Sequence, residues 1–217
     1  MVPDAFKDLL ATSASIFTIL QFLAGTLVCR KFVTNRTTGE SSGLAFITCL
    51  MSCSFWLRYG QLKDDSYVIM VNAFGTFLQF CYIIVFTLYS VRKTLILKQF
   101  LVAVLFIIII YSYSIIETDK ELVKRQIGFL SCGLTILFFA SPLTMLLHVI
   151  REKNTDSLPF PVILASFTVS SQWFIYGTII DDQFIKVPNL IGCLLSLFQL
   201  SLFFRYRTKT LSETHLI

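Results

Sequence analysis

The sequence predicts an all-α integral membrane protein with seven transmembrane helices, built as two parallel three-helix repeats joined by one linker helix (3+1+3). Three observations support this prediction: a mostly apolar composition, seven apolar stretches of membrane-spanning length, and a duplication at a fixed offset. Of the 217 residues, 55% are hydrophobic and 14% are charged, against about 25% charged in soluble domains. This composition excludes a water-soluble globular protein.

The predicted spans, numbered 1 to 7, lie between short charged segments, and each is close to the ~20 residues that a helix needs to cross a bilayer. Span 1 has no Arg/Lys-rich lead before a small-residue cleavage site, so we expect it to be retained. The six cysteines lie within the spans without metal-ligand spacing, and we interpret them as packing residues. The spans cover residues 9–29, 42–60, 66–91, 99–116, 126–147, 157–180 and 187–204.

Loop charges predict the orientation. The segments around 30–41, 92–98, 148–156 and 205–217 sum to +7, and those on the opposite side sum to −2. The positive-inside rule then places the carboxyl terminus in the cytoplasm and the amino terminus outside or in a lumen. Asn35 begins a glycosylation sequon, but we expect it to stay unmodified because it faces the cytoplasm. We expect a multi-pass protein of the plasma membrane, with the Golgi or another internal membrane as the alternative.

An internal repeat appears when the sequence is shifted by 117 residues, which gives seven identities in twenty positions. The repeat predicts four regions: a first three-helix repeat (9–91), a linker helix with its loops (92–125), a second repeat (126–204) and a cytoplasmic tail (205–217). Two similar bundles can rock against each other and expose a site to alternate sides of the membrane, an arrangement that is typical of transporters. The identities pair Trp56, Tyr59, Gly60, Asp64, Asp65, Asn72 and Gly75 with Trp173, Tyr176, Gly177, Asp181, Asp182, Asn189 and Gly192.

Each half thus carries Trp-x-x-Tyr-Gly followed by Asn-x-x-Gly, with TTGESSGLAF before span 2 and KNTDSLPFPVILASF before span 6. These motifs resemble the SWEET sugar transporters, most closely the animal and especially the insect members, over about residues 10–207. The resemblance implies passive, bidirectional transport of mono- or disaccharides by a homo-oligomer in the lipid bilayer. It also implies the 3+1+3 arrangement, for which this family is itself an example.

Two tryptophans and two asparagines are the candidate substrate-binding residues: Trp56, Asn72, Trp173 and Asn189. A flat indole can stack on the C–H face of a sugar ring, while an amide donates to and accepts from its hydroxyls. Taken alone, each tryptophan could instead belong to an interfacial belt, and each asparagine could join helices by hydrogen bonding. Their duplication in register favours a pocket, and the positions that match them in SWEET proteins line the sugar site. The resemblance also suggests Gln21 and Phe138 as pocket residues, with ordinary packing as the alternative.

Prolines are the candidate hinges, because proline deletes a backbone hydrogen bond. Pro142 and Pro161 fit this role in spans 5 and 6. The resemblance implies prolines in spans 1 and 2 as well, but the matching positions hold Gly25 and Ala45, so we expect more bending in the second half. We interpret Pro188 as a local break or start of span 7.

The charged residues outside the spans have simpler interpretations. We take the two Asp-Asp pairs at the outer turns as solvated turn residues. The basic tail is interpreted as an anchor near anionic headgroups.

Three other function classes fit less well. A G-protein-coupled receptor shares the span count but lacks the repeat, and the PQ-loop amino-acid exporters carry a Pro-Gln pair that is missing here. An enzyme is disfavoured because no catalytic cluster lies within the spans. No metal, cofactor or nucleic-acid partner is indicated. With span 2 taken as 42–57, the spans contain no Asp, Glu, His, Lys or Arg, which predicts a uniporter without proton or sodium coupling.

Overall fold

The structure, a computed structural model, describes residues 3–156 and 158–206, and the side chains of residues 140–142 are not described. Most of the tail predicted at 205–217 therefore lies outside the described residues. Within the described ranges the chain forms nine helices and no strand. They are α1 (Asp4–Leu23), α2 (Gly25–Asn35), α3 (Leu44–Lys63), α4 (Ser66–Tyr89), α5 (Lys93–Ile116), α6 (Lys120–Leu137), α7 (Ala140–Glu152), α8 (Phe160–Ile179) and α9 (Gln183–Arg205).

The helices correspond to the seven predicted spans, with one difference. Spans 1 and 5 are each divided into two helices, α1–α2 and α6–α7. Five helical stretches in the described residues are long and apolar enough to cross a membrane by length and composition: α1–α2 together, α4, α5, α8 and α9. The other two predicted spans correspond to α3, whose carboxyl-terminal part carries Arg58 and Lys63, and to α6–α7.

The chain forms two compact units, each with its own apolar core. One unit is Thr12–Leu134, and the other combines Met1–Ala11 with Thr135–Ile217. The first unit buries side chains of α2, α3, α4 and α5 against one another, including Phe32, Ile47 and Phe86. The second buries residues of α7, α8 and α9 with those of the loop before α8. The predicted boundaries between the first repeat, the linker region and the second repeat, at residues 91, 125 and 126, remain predictions.

The turns between α3 and α4 and between α8 and α9 repeat the same chemistry in both halves. Asp64, the C-cap of α3, and Asp181, which follows the C-cap of α8, adopt the left-handed conformation, with φ of 56° and 50°. The next aspartate caps the following helix: the Asp65 carboxylate accepts from two α4 amides, and Asp182 does the same for α9. Asp64 and Asp181 are exposed as expected. The solvated interpretation is wrong for Asp182, which is 2% exposed because its carboxylate is used as a cap.

A glycine lets the two helices of each outer turn approach closely. A Cβ at Gly60 would lie 3.0 Å from the backbone N of Ile69, and a Cβ at Gly177 would lie 2.9 Å from the backbone N of Lys186. The neighbouring atom is backbone in both cases, so it cannot rotate away. This contact gives the glycine of each Trp-x-x-Tyr-Gly motif a structural role.

The division of span 1 lies at Ala24, between α1 and α2. The Tyr82 hydroxyl donates to the Phe22 carbonyl at 3.0 Å, in place of the amide that would bond there in a continuous helix. Tyr82 has one hydroxyl hydrogen, so Thr26 must be the donor in the 2.8 Å bond between their hydroxyls. Gly25 makes room for this arrangement, because a Cβ there would lie 2.5 Å from the Tyr82 ring.

Span 5 is divided by a different device. Phe138 and Phe139 lie between α6 and α7, and their amides make i→i−3 bonds of 3.2 Å and 3.0 Å. Pro142 is the third residue of α7, where a missing N–H interrupts no α7 hydrogen bond. Both halves therefore contain a break in their first span, with glycine in one and proline in the other.

Pro161, Ala45 and Pro188 lie near the start of a helix or within one. Pro161 is in the first turn of α8 and Ala45 is the second residue of α3, so both positions begin helices. The interpretation of Pro188 as a local break or start was wrong: α9 begins at Gln183 and continues through it to Arg205. Pro188 has no N–H for the Phe184 carbonyl, but its burial among neighbouring helices stabilises the conformation.

The close contact at Gly177 predicts a loss of stability on substitution. Gly177→Ala should lower the melting temperature of the detergent-purified protein, because overpacking costs about 1–3 kcal/mol and exceeds the helix-propensity gain of about 1 kcal/mol. Gly133→Ala is the matched control, since nothing lies within 4 Å of its added Cβ, and it should melt at or above the native temperature. Equal melting temperatures for Gly177→Ala and the native protein would contradict the packing argument.

Candidate functional site

Each half places one tryptophan and one asparagine at similar depth on neighbouring antiparallel helices. Trp56 lies on α3 about 12 Å before the Asp64 turn, and Asn72 lies on α4 about 10 Å beyond it, at 1.5 Å per residue. Trp173 on α8 and Asn189 on α9 have the same spacing from their own turn. The two halves therefore place their tryptophan and asparagine at the same spacing from the turn, and their joint contact with a substrate stays a prediction.

The asparagine amides are held in the same way. Asn72 Nδ2 donates to the Val68 carbonyl at 2.9 Å, and Asn189 Nδ2 donates to the Ile185 carbonyl at 2.7 Å. Among the described residues, neither Oδ1 accepts a hydrogen bond. Because the nitrogen is fixed by the backbone, each side chain presents a carbonyl oxygen in a set orientation. Such an oxygen can accept a hydrogen bond from a hydroxyl.

The tryptophan rings are held by an edge-to-face contact with a tyrosine one turn away. The ring centroids of Trp56 and Tyr59 are 5.6 Å apart at 89°, and those of Trp173 and Tyr176 are 5.6 Å apart at 83°. Both tyrosines are buried, so each indole packs against a fixed neighbour. Trp56 is half-buried and Trp173 is buried. A fixed indole can stack on an apolar ring face.

Gln21 and Phe138 lie next to the divided spans. The Gln21 carbonyl accepts from the Ala24 amide at 3.2 Å, at the end of α1. Phe138 is the first residue after α6. Both side chains are half-buried, and their participation in a pocket stays a prediction. No group of three or more His, Cys, Asp or Glu that could hold a metal occurs in the part of the chain that the structure describes.

Sequence reasoning missed a polar network that joins the linker helix to α3. Arg58 Nε donates to Ser114 Oγ at 2.8 Å, and its guanidinium lies 6.0 Å from the centre of the Tyr111 ring. The Tyr111 hydroxyl donates to the Ser54 carbonyl at 2.6 Å. At the 117-residue offset the second half has Ile175 instead of Arg58. A lone arginine at the end of an otherwise apolar run was the available signal.

Comparison with protein families reproduces the repeat. A family model described as "Sugar efflux transporter for intercellular exchange" matches the chain twice, over residues 8–94 and 125–211. Both boundaries of the second match lie 117 residues after those of the first. The family model therefore recognises the same duplication that the Trp, Tyr, Gly and Asn positions define.

Similar proteins carry the same family name. A sugar transporter SWEET1 of Drosophila pseudoobscura pseudoobscura is 44% identical, with 94% of this chain and 92% of that protein aligned. A bidirectional sugar transporter SWEET2 of Arabidopsis thaliana is 32% identical, with 95% and 90% aligned. The solved structure of a eukaryotic SWEET transporter matches with a TM-score of 0.85 at 27% identity, covering 93% of this chain and 98% of that one. The fold prediction of seven helices in a 3+1+3 arrangement is confirmed, and the chain belongs to the SWEET family of sugar transporters.

Proposed function

We propose that the chain is a bidirectional sugar transporter that moves mono- or disaccharides by alternating access, without coupling to an ion. Family membership in both halves supports this function, as do relatives named sugar transporter and bidirectional sugar transporter. Transport rather than catalysis is the proposed activity.

The repeated Trp–Asn pair is the observation that carries the proposal. Each pair combines an indole held against a tyrosine with an amide oxygen whose orientation is set by the backbone. A sugar has apolar C–H groups on its ring faces and hydroxyls around its edge, so it needs both features. We propose that Trp56, Asn72, Trp173 and Asn189 contact the sugar, with Gln21 and Phe138 as further contacts.

Two charged residues close to the spans are consistent with the proposed absence of coupling. Arg58 lies just beyond the apolar part of span 2, but a guanidinium does not release its proton in proteins. Asp182 is buried, but its carboxylate already accepts from two α9 amides. Neither group is available as a proton carrier, and the predicted spans, with span 2 taken as 42–57, contain no Asp, Glu, His, Lys or Arg. Sugar and proton would then have no shared site through which to exchange free energy.

The two divided spans are the proposed hinges. Gly25 and Pro142 follow the breaks at which α1–α2 and α6–α7 can bend. Ala45 and Pro161 begin helices, so motion there would pivot a whole helix instead of bending it.

We propose that the protein resides in the plasma membrane or an internal membrane with its carboxyl terminus in the cytoplasm, and that it assembles as a homo-oligomer.

Loss of one binding residue should impair transport. Trp173→Ala and Asn189→Ala should each lower sugar uptake between about twofold and tenfold in cells deficient in endogenous transport, because stacking contributes about 0.5–1.5 kcal/mol beyond area and a hydrogen bond a similar amount. Gln183→Ala, an exposed amide on the same helix, is the control. Normal uptake kinetics in both variants at equal surface abundance would remove these residues from the site.

Straightening a hinge should slow transport more than it weakens binding. Pro142→Ala introduces an N–H that can donate to the Phe138 carbonyl and extend α7 backwards, which favours one end state. Tyr82→Phe removes the hydroxyl that donates to Phe22 and should slow transport as well. Exchange rates and sugar affinity would be measured separately, with Pro3→Ala, ahead of α1, as the control. A native exchange rate in both variants would show that bending at these breaks does not limit transport.

The uniport mechanism predicts that the protein cannot concentrate sugar. In reconstituted vesicles the final inside-to-outside ratio should be one, and preset pH or sodium gradients should leave it unchanged. Vesicles without protein give the leak rate. Accumulation above unity that a protonophore abolishes would contradict the mechanism and would point to a loop acid such as Asp181.

A further inference from the structure

A polar cavity of about 170 Å³ lies where the loop before α3 meets the start of α5. Its lining includes Ser41, Ser42, Arg92 and Gln99, with Glu40 as the one carboxylate. At about 30 Å³ per water molecule, it could hold about five waters or a small polar group. None of the Trp–Asn residues lines this cavity, so it is separate from the site described above.

An apolar groove of about 450 Å³ lies between α3 and α5. Leu44 and Met51 on α3 and Val102 and Phe106 on α5 line it, and Lys98 is its only charged residue. From Leu44 to Met51 the groove extends about 10 Å along α3, at 1.5 Å per residue. In a membrane-spanning chain, a groove of this kind accepts hydrocarbon.

The polar cavity and the apolar groove are neighbours. Gln99 lines both, and Gly43 of the cavity is followed directly by Leu44 of the groove. The polar part lies at the end where α3 and α5 begin, and the apolar part extends from there along both helices. A ligand that fills both parts must have a polar head joined to a hydrocarbon chain.

The charges at this end favour a negative head. Arg92 lines the cavity and Lys98 lines the groove, against the single carboxylate of Glu40, and Lys93 follows Arg92 in the sequence. Within residues 3–156 and 158–206, none of these three cations forms an ion pair. Basic pockets between transmembrane helices on the cytoplasmic side bind anionic lipid headgroups, and Lys98 can lie along the apolar wall with its ammonium at the polar end.

We infer that this surface binds an anionic phospholipid, with its phosphate-bearing head in the polar cavity and one acyl chain in the groove between α3 and α5. A soluble anion would fill only the cavity and leave the groove without an occupant. The inference depends on the membrane-spanning fold and not on the proposed sugar site, so each can fail without the other.

Native mass spectrometry of the detergent-purified full chain tests this site. Dioleoyl phosphatidylserine should bind at least tenfold more tightly than dioleoyl phosphatidylcholine, and inorganic phosphate at equal concentration should not displace it. Lys98→Gln should weaken phosphatidylserine binding about fivefold, and Arg92→Gln together with Lys98→Gln about thirtyfold. Val102→Trp, which fills the groove without changing charge, should weaken binding of both lipids. Val102 is 67% exposed, so this variant is expected to fold.

Two matched variants separate the site from general effects. Arg151→Gln removes a basic residue predicted to lie on the same side, and Ile109→Trp enlarges an exposed residue of α5 outside the groove. Both should bind phosphatidylserine like the native protein. Equal affinity for the two lipids, displacement by phosphate alone, or unchanged binding in Val102→Trp would each overturn the inference. A Val102→Trp change in oligomer mass without a change in lipid binding would assign the groove to a second copy of the chain, which would also overturn it.

Discussion

The hydrocarbon interior of a bilayer offers no water to backbone groups, so each interruption of a membrane helix needs an internal hydrogen-bond partner. The break after α1 shows how this need is met. The Phe22 carbonyl, deprived of its helical donor, receives the Tyr82 hydroxyl, and Thr26 completes the arrangement by donating to Tyr82. Gly25 is required because no larger residue leaves space for the tyrosine ring. One side chain on α4 therefore makes the division of span 1 possible.

The same constraint explains why particular positions hold the same residue in the two halves of the chain. Helix ends in a membrane protein need caps, and Asp65 and Asp182 supply them at the two outer turns. The cap sets where the next helix starts, and the asparagine seven residues later then lies at the depth of the tryptophan on the neighbouring helix. The identical residues around these turns at the 117-residue offset thus include those that set the turn, the helix cap and the close approach of the two helices.

Much of the fold could be predicted because a bilayer imposes length and composition on each span. The paired Trp and Asn positions could also be predicted, since the duplication itself marks them. Side-chain to backbone contacts were not predictable in this way. The burial of Asp182 depends on its use as the cap of α9, whereas the continuation of α9 through Pro188 and the bond from Arg58 to Ser114 depend on which residue a neighbouring helix places opposite. A single sequence contains no periodicity that reports these pairings.

The two halves are alike in their candidate recognition residues but differ in how their first spans are divided. A proline interrupts a helix by itself, because it has no backbone N–H to donate in any surroundings. A glycine keeps its N–H, so a break at Gly25 depends on the partner that Tyr82 provides. The second half lacks this tyrosine, since the residue 117 positions after Tyr82 is Gln199. It also has Pro142 where the first half has Gly25.

This difference has a mechanical consequence. Straightening span 1 requires the hydroxyl of Tyr82 to leave the Phe22 carbonyl, whereas straightening span 5 is opposed by the backbone of Pro142 itself. The Arg58 network also joins α3 to the linker helix in the first half, where the second half has Ile175. We therefore propose that bending at the break of span 1 depends on side-chain hydrogen bonds between helices, and that bending at the break of span 5 depends on the backbone of Pro142.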